Sequence, residues 1–331
     1  MRRQTWQDAY DAQMGLWRWY RTEDGRDHLQ AGYRMQIEPF TAARGHPAPE
    51  AMQEMIAGLY GAEERKVLLA DPFFVSAEMV DVIEAAAEQF TPEALLATDV
   101  MTHTGFCWFE RPFGIHDRFD EPMFLRGWSW CRIEQGIAGV GMPSMTEDGV
   151  ILTMLRDAVD PEAAYPEGLA VTLYCDWNKE GHTPLGFAPI HLTPWWFGMT
   201  FEGNEIDTEG KPTGAGWWWR ILQVTLRLMQ QRIAVQHAER AARPRRREAV
   251  RAGWFDREVQ VVRLRRERGE RHEPSGEEAG YSHRFIVGGH WRNQWYPSGQ
   301  VHRQIWISPY VKGPDDKPLV VKPRRAYTWD R

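Results

Sequence analysis

Residues 213–242 read TGAGWWWRILQVTLRLMQQRIAVQHAERAA. Between Trp217 and Met229 this segment is apolar nearly all round, leaving Arg220, Gln223, Arg227, Gln230 and Gln231 as a narrow polar stripe. Such a pattern predicts a mostly buried central helix over 213–242 with a sheet packed on it. Two arginines and several glutamines inside the span argue against a membrane helix.

Upstream of that helix, GFCWFERPF, PMFLRGWSWCRI, GVILTMLRDA and LAVTLYCDW are short apolar or alternating runs separated by turn residues, the mark of successive strands. WWFGMTF after Pro194 reads as one more strand, and 202–212 as a polar loop. Residues 1–97 read differently. TWQDAYDAQMGLWRWY opens with Thr5 as a helix cap, 26–38 adds a second helical stretch, PEAMQEMIAGLY starts on a proline, and SAEMVDVIEAAAEQF is capped by Ser76. Another short helix is predicted to start at Thr91-Pro92. The chain therefore divides into a helical, acidic N-terminal region, 1–97, and a β-rich α+β domain, 98–331.

Downstream, ARPRRREAVRAGW leads into an alternating strand, EVQVVRLRRER, and 270–280 makes a flexible connection. Two runs rich in β-branched and aromatic residues, Tyr281 to Tyr296 and Val301 to Tyr310, flank Pro297-Ser298-Gly299 and predict an antiparallel hairpin spanning 281–311. Gly288-Gly289 marks a bulge or a close backbone approach. With a five-residue loop, Tyr296 lies opposite His302, Gln294 opposite Gln304, Arg292 opposite Trp306, and His290 opposite Ser308. One face then carries two imidazoles, a guanidinium and a phenol. A loop one residue shorter breaks that grouping, because a single-residue slip turns every side chain of one strand to the other face.

Composition bounds the rest. A length of 331 residues suits one large domain or two ordinary ones. The 17 tryptophans are several-fold above ordinary usage, so most must be core. Cys107, Cys131 and Cys175 are odd in number and form no CxxC pair, which points to buried reduced thiols. No signal-peptide apolar region and no run of about 18 consecutive apolar residues is visible, so a soluble cytoplasmic protein without membrane contact is expected. The net charge of −6 hides a polarity: 240–331 hold 21 Lys and Arg against 11 Asp and Glu, while 1–239 hold 19 against 35. Either the basic part meets a polyanion, or the acidic part packs against it.

The block HRFIVGGHWRNQWY…VHRQIWISPYVKGP…PLVVK, with TGFCWFERPF and WSWCRI, resembles a family of uncharacterised proteins from actinobacteria and their phages and mobile elements. The likeness covers roughly the C-terminal two thirds of the chain. It implies a bacterial cytoplasmic setting with links to mobile DNA and is silent on activity.

Known chemical motifs fail inspection. Gly203 and Gly210-Lys211 are separated by six residues where a P-loop has four, and Pro212 replaces the magnesium-binding hydroxyl. The eleven histidines form no HExxH and no Cys/His pairing, so neither a metal nor a cofactor is expected. What remains is metal-free phosphoryl chemistry, which needs an acid, a base and cations around a phosphorane. His290 and His302 are the expected pair, Arg292 the charge stabiliser, and Tyr296 a donor or alternate acid. For binding, Arg243, Arg245, Arg246, Arg247, Arg251, Arg303 and Lys312 would hold phosphates, and Trp295 and Trp306 would stack on unpaired bases. The leading expectation is a nucleic-acid-directed protein of a mobile element or defence system, binding RNA or single-stranded DNA, with a metal-independent ribonuclease as its sharpest form. The alternatives are a hairpin whose histidines and arginines only hold the sheet together, and a module that binds a bacterial protein through the acidic N-terminal region.

Overall fold

The computed structural model describes residues 4–42, 60–91, 95–116, 122–133, 145–146, 149–150, 168–176, 185–191, 195–196, 215–265, 285–297, 299–307, 309–312 and 318. The chain is organised on strand β1, Asp71–Val75, which pairs in parallel with β2, Thr104–His116, on one side and β10, Val259–Leu264, on the other. Beyond β2 come β3, Pro122–Ile133, β6, Gly168–Asp176, and β7, Ala188–His191, and beyond β10 comes β9, Ala234–Glu239, all antiparallel to their neighbours. Strand β8, Trp195–Trp196, pairs with β6 beside β7. β4, Met145–Thr146, and β5, Gly149–Val150, form a separate two-stranded pair.

The sheet is buried on both faces. Phe73, Val75, Cys107, Phe109, Trp128, Trp130 and Val262 point into one core with α4, Ala77–Glu88, and α5, Ala215–Met229. Phe74, Phe106, Trp108, Tyr174 and Val261 point into the other with α1, Trp6–Tyr20, α3, residues 60–69, and α6, Arg243–Arg251. Helix α2, Glu23–Ala42, adds Leu29 to this second core. Side chains alternate between the two cores because successive residues of a strand face opposite ways.

Local chemistry sets several ends. Thr5 and Asp8 form a reciprocal capping box at α1, with the Thr5 N–H donating to Asp8 Oδ2 at 2.6 Å. Ser76 caps α4 as expected, accepting from the Met79 N–H. Gly253, at φ +89, closes α6 in a conformation that suits glycine. At Gly105, a Cβ would fall 2.1 Å from the Trp130 ring, so only glycine lets that indole lie flat on the neighbouring strand.

The α+β class and the β-rich runs at β2, β3, β6 and β10 match expectation, and the three cysteines are buried thiols. Three expectations change. Residues 1–97 do not stand apart as a helical region, because β1 within them is an interior strand of the sheet. The predicted helix 213–242 ends at Met229, and 234–239 is strand β9, whose full-length pairing with β10 replaces helical hydrogen bonds. The helix end is satisfied by tertiary contacts, with Gln236 Nε2 donating to Met229 O at 2.9 Å. The helix predicted to start at Thr91-Pro92 lies partly outside the described residues, and Ala97–Asp99 form a 3₁₀ turn. Residues 49–59 of the predicted helix 49–60 and most of the runs at 149–158 and 195–201 also lie outside them, Tyr60 being the first residue of α3.

Replacing Gly105 with alanine is expected to destabilise the fold by about 1–3 kcal/mol through overpacking against Trp130. Urea unfolding followed by tryptophan fluorescence measures it.

Candidate nucleic-acid interface

The C-terminal hairpin consists of β12, His290–Tyr296, and β13, Val301–Ile307. Beneath it, β11, Phe285–Val287, pairs with β14, Tyr310–Lys312. Its base is anchored by two indoles. Trp291 donates through Nε1 to the Ala86 carbonyl near the end of α4 at 2.9 Å and packs on Phe90. Trp306 is 6% exposed within the core shared with α4 and α5. A Cβ at Gly289 would lie 2.4 Å from the Trp306 ring, so the close backbone approach anticipated there is real. Past the end of α5, Gln231 clamps the hairpin by accepting from the Trp306 N–H at 2.9 Å. Arg227 reaches Gln304 Oε1 at 3.4 Å while lying over the Phe90 ring.

The register differs from the expected one by a single residue. Tyr296 pairs with Val301, so the loop holds four residues, 297–300, with Gln300 at φ +47. Trp295 lies opposite His302, Gln294 opposite Arg303, Arg292 opposite Ile305, and His290 opposite Ile307. His290, Arg292, Gln294, Tyr296 and Arg303 therefore share the outward face, and His302 lies on the other face, its ring 4.8 Å from Trp295. The two imidazoles are not brought together, so they cannot flank one phosphodiester. The expected catalytic grouping of His290, Arg292, His302 and Tyr296 is thus not formed, for the reason that a one-residue slip inverts one strand. Trp306 is likewise corrected from base-stacking residue to core anchor.

What the ribbon does expose is a mixture of aromatic and cationic groups. Trp295 is 43% exposed, the one exposed tryptophan among the described side chains, and Tyr296 is 40% exposed beside it. Arg292, Arg303, His290, His302 and Lys312 are also exposed. Arg292 donates to Gln294. From Ala279 to Pro314 the sequence contains no Asp or Glu, so no carboxylate within the ribbon neutralises these cations. Tyr310, 45% exposed on β14, lies in the same acid-free window and escaped sequence reasoning; that window was the signal that would have found it.

The arginines of α6 are placed elsewhere. This helix packs on the opposite face of the sheet from the hairpin, through Ala249, with Ala241 before it and Trp254 after it in the same core with α1. Arg245 pairs with Asp11, Arg246 with Asp256 at 3.0 Å, Arg240 with Glu258 at 2.8 Å, and Arg18 of α1 with Glu248. Part of the basic segment therefore meets the acidic N-terminal part within the molecule. Arg243, Arg247 and Arg251 are exposed and carry no ion pair among the described residues. They recur every four residues, about 6 Å apart along the axis, as one stripe. The structure does not join this stripe and the hairpin into one surface, because the sheet and both its cores lie between them.

A buried polar cluster lies under α3, and sequence reasoning missed it. Lys66 Nζ pairs with Glu63 at 2.8 Å and donates to Thr172 Oγ1 at 2.7 Å, and Thr172 donates to Glu63 at 3.0 Å. Nearby, Ser129 and Tyr174 share a hydrogen bond of 2.7 Å. Burial pushes the Tyr174 phenol well up, the Glu63 charge adds to this, and the Ser129 bond opposes it. Each charge is satisfied and sealed from water, which makes the cluster a strap holding α3 to β6. Its signal was the Glu-x-x-Lys spacing on one helix face. No group of three or more metal-ligating side chains occurs among the described residues.

No protein-family model and no curated protein matches this sequence. Among solved structures, the chain is similar to the crystal structure of AcrVA2, with 9% identity, 92% of this chain and 94% of that chain covered, and a TM-score of 0.35. At that level the likeness fixes neither fold nor role.

Two measurements check the geometry. Labelled RNA incubated with the protein in EDTA is expected to remain intact at every pH between about 5 and 8, where unperturbed histidines change charge; cleavage abolished by His290→Ala or His302→Ala would restore the paired-imidazole arrangement. Gln231→Ala is expected to loosen the hairpin from α5, read as at least tenfold faster hydrogen exchange at the Trp306 amide while β1 and β2 amides stay protected.

Proposed function

We propose that this protein binds single-stranded nucleic acid, RNA or DNA, through the β12–β13 ribbon, without cleaving it, as a protein of a mobile element or defence system, the resemblance of its C-terminal block implying links to mobile DNA. The observation that carries the reading is the acid-free ribbon on which Trp295, Tyr296, Arg292 and Arg303 are all exposed. Exposed aromatics that lie side by side, as Trp295 and Tyr296 do, mark an interaction surface where isolated ones do not. Here the exposed aromatics sit among guanidiniums, which is the combination that stacks bases and holds phosphates. The firm anchoring of the ribbon base by Trp291, Trp306 and Gln231 presents the tip without an ordering cost at binding.

Trp295 and His302 offer a tilted pair of rings on one side of the tip. Tyr296 and the two arginines occupy the other side, so a strand would wrap the tip rather than lie on a flat sheet. The arginine stripe on α6 faces away and would contribute only to long-range attraction.

The test is fluorescence anisotropy with labelled oligonucleotides at several salt concentrations. Affinity is expected to fall steeply with salt, and Arg292→Gln with Arg303→Gln to lower the slope by about 1.4 in log–log form, at about 0.7 per phosphate contact. Trp295→Ala is expected to weaken binding by about 5- to 150-fold, from about 1–3 kcal/mol per stacked base. Salt-independent binding, or binding indifferent to all three changes, would transfer the ribbon to a protein partner.

A further inference from the structure

Strand β9 closes one end of the sheet: β10 pairs with it on one side, and among the described residues no strand pairs with it on the other. We infer that this edge docks a second copy of the chain, the two β9 strands pairing antiparallel about a twofold axis at His237.

Three hydrogen bonds fix where the backbone groups of β9 point. The Arg265 N–H donates to the Ile233 carbonyl at 2.7 Å, and these two residues continue the β9–β10 register. Residues bonded to the neighbour alternate along an antiparallel ladder, so Val235, His237 and Glu239 bond to β10, while Ala234, Gln236 and Ala238 direct their N–H and C=O groups outward. Accordingly, the Ala234 N–H turns back to the Gln231 carbonyl, and Val262, which lies opposite Gln236, gives its carbonyl to the Ser76 N–H on the β1 side. The backbone groups of Gln236 and Ala238 have no partner among the described residues, and both residues are exposed.

The other end of the sheet is blunted. β7 has only four residues; Pro189 among them has no N–H, and its carbonyl accepts from His28 of α2. Short strands, prolines and covering elements are the usual means by which a sheet edge avoids pairing with another chain. β9 has none of them. Its six residues are all in register with β10, without proline, lysine or bulge, and Val235 is 37% exposed on it.

The identity of the occupant follows from the strand's fit to itself. Outward-directed residues must oppose outward-directed residues, so a twofold axis falls on a residue position. An axis at Gln236 sets Arg232 against Arg240 of the second copy, both exposed, and like charges directly opposite oppose assembly. Moved one residue, to His237, the axis sets Gln236 against Ala238, Val235 against the stem of Glu239, and Ala234 against Arg240. No two formal charges of one sign then meet, and the outward N–H and C=O groups of Gln236 and Ala238 are all matched. Axes further from the middle of the strand shorten the overlap.

The ribbon has no part in this contact, and the experiment separates the two. Analytical ultracentrifugation of the full chain over a hundredfold range of concentration is expected to show a monomer passing to a species of twice its mass. Ala238→Pro removes an outward N–H and leaves the bonds to β10 in place, so association is expected to weaken at least tenfold with Tm nearly unchanged. Ala238→Lys, which puts a charge on the edge without constraining the backbone, is expected to do the same. Facing residues at the axis form a non-hydrogen-bonded pair with Cα atoms about 4.5 Å apart, within disulfide range. His237→Cys is therefore expected to form an intermolecular disulfide under mild oxidation, and Gln236→Cys not to, the native cysteines being buried. Trp295→Ala, which tests the ribbon, is expected to leave the dimer unchanged. A chain that stays monomeric, a dimer indifferent to both Ala238 variants, a dimer lost in Trp295→Ala, or a disulfide formed by Gln236→Cys and not by His237→Cys would each overturn the inference.

Discussion

The parallel pairing of β1 with two neighbours at once is the constraint on which the rest of the structure depends. A strand inside a sheet has no free edge, so all its backbone groups must be matched by β2 and β10, and its side chains must be covered from both sides. Phe73 and Val75 demand one cover and Phe74 the other. The helices of 1–97 supply much of it, α4 on one face and α1 with α3 on the other, which is why the N-terminal third cannot stand apart from the sheet. The link from β1 through α4 to β2 also sets where α4 ends, and the end of α4 is where the hairpin docks through Trp291.

The hairpin inherits its position from a second event, the termination of α5 at Met229. Had the helix continued, Gln231 would lie about half a turn further round the cylinder, in a helical position different from the one from which it accepts the Trp306 N–H. Instead the chain turns back into β9, and Gln231, at the end of what looked like a polar helix stripe, becomes the clamp under the ribbon. Gln223 of the same stripe is fully buried, so the stripe is an internal interface more than a wet face. Through this arrangement two indoles are consumed as anchors, and the one nearest the turn is left outside.

Those placements show what the sequence could and could not disclose. Thr5 and Ser76 were legible as caps because capping is a matter of four consecutive residues, and β2, β3, β6 and β10 were legible because apolar or alternating runs of six or more residues between turn residues read as strands. Strand β1 was not: five residues containing a proline, set between two helical patterns, carry no period of their own. The end of α5 was hidden because IAVQHAE is compatible with either state until β10 is present to pair with it. In the hairpin, strand existence was clear and register was not, since loop length alone separates a converged pair of imidazoles from a divided one. The choice between Trp295 and Trp306 as the exposed indole depends on α4 and α5, more than 60 residues upstream.

The three sulfurs have a practical consequence. Cys107 and Cys175 lie in the sheet with their thiols pushed far up by burial, and Cys131 is buried alongside. Maleimides and iodoacetamides react with thiolate, so the folded protein presents them with a silent background at neutral pH. A single cysteine introduced at the turn of the ribbon, or on the outer face of α6, would take up a fluorophore or spin label alone, with every native sulfur left in place.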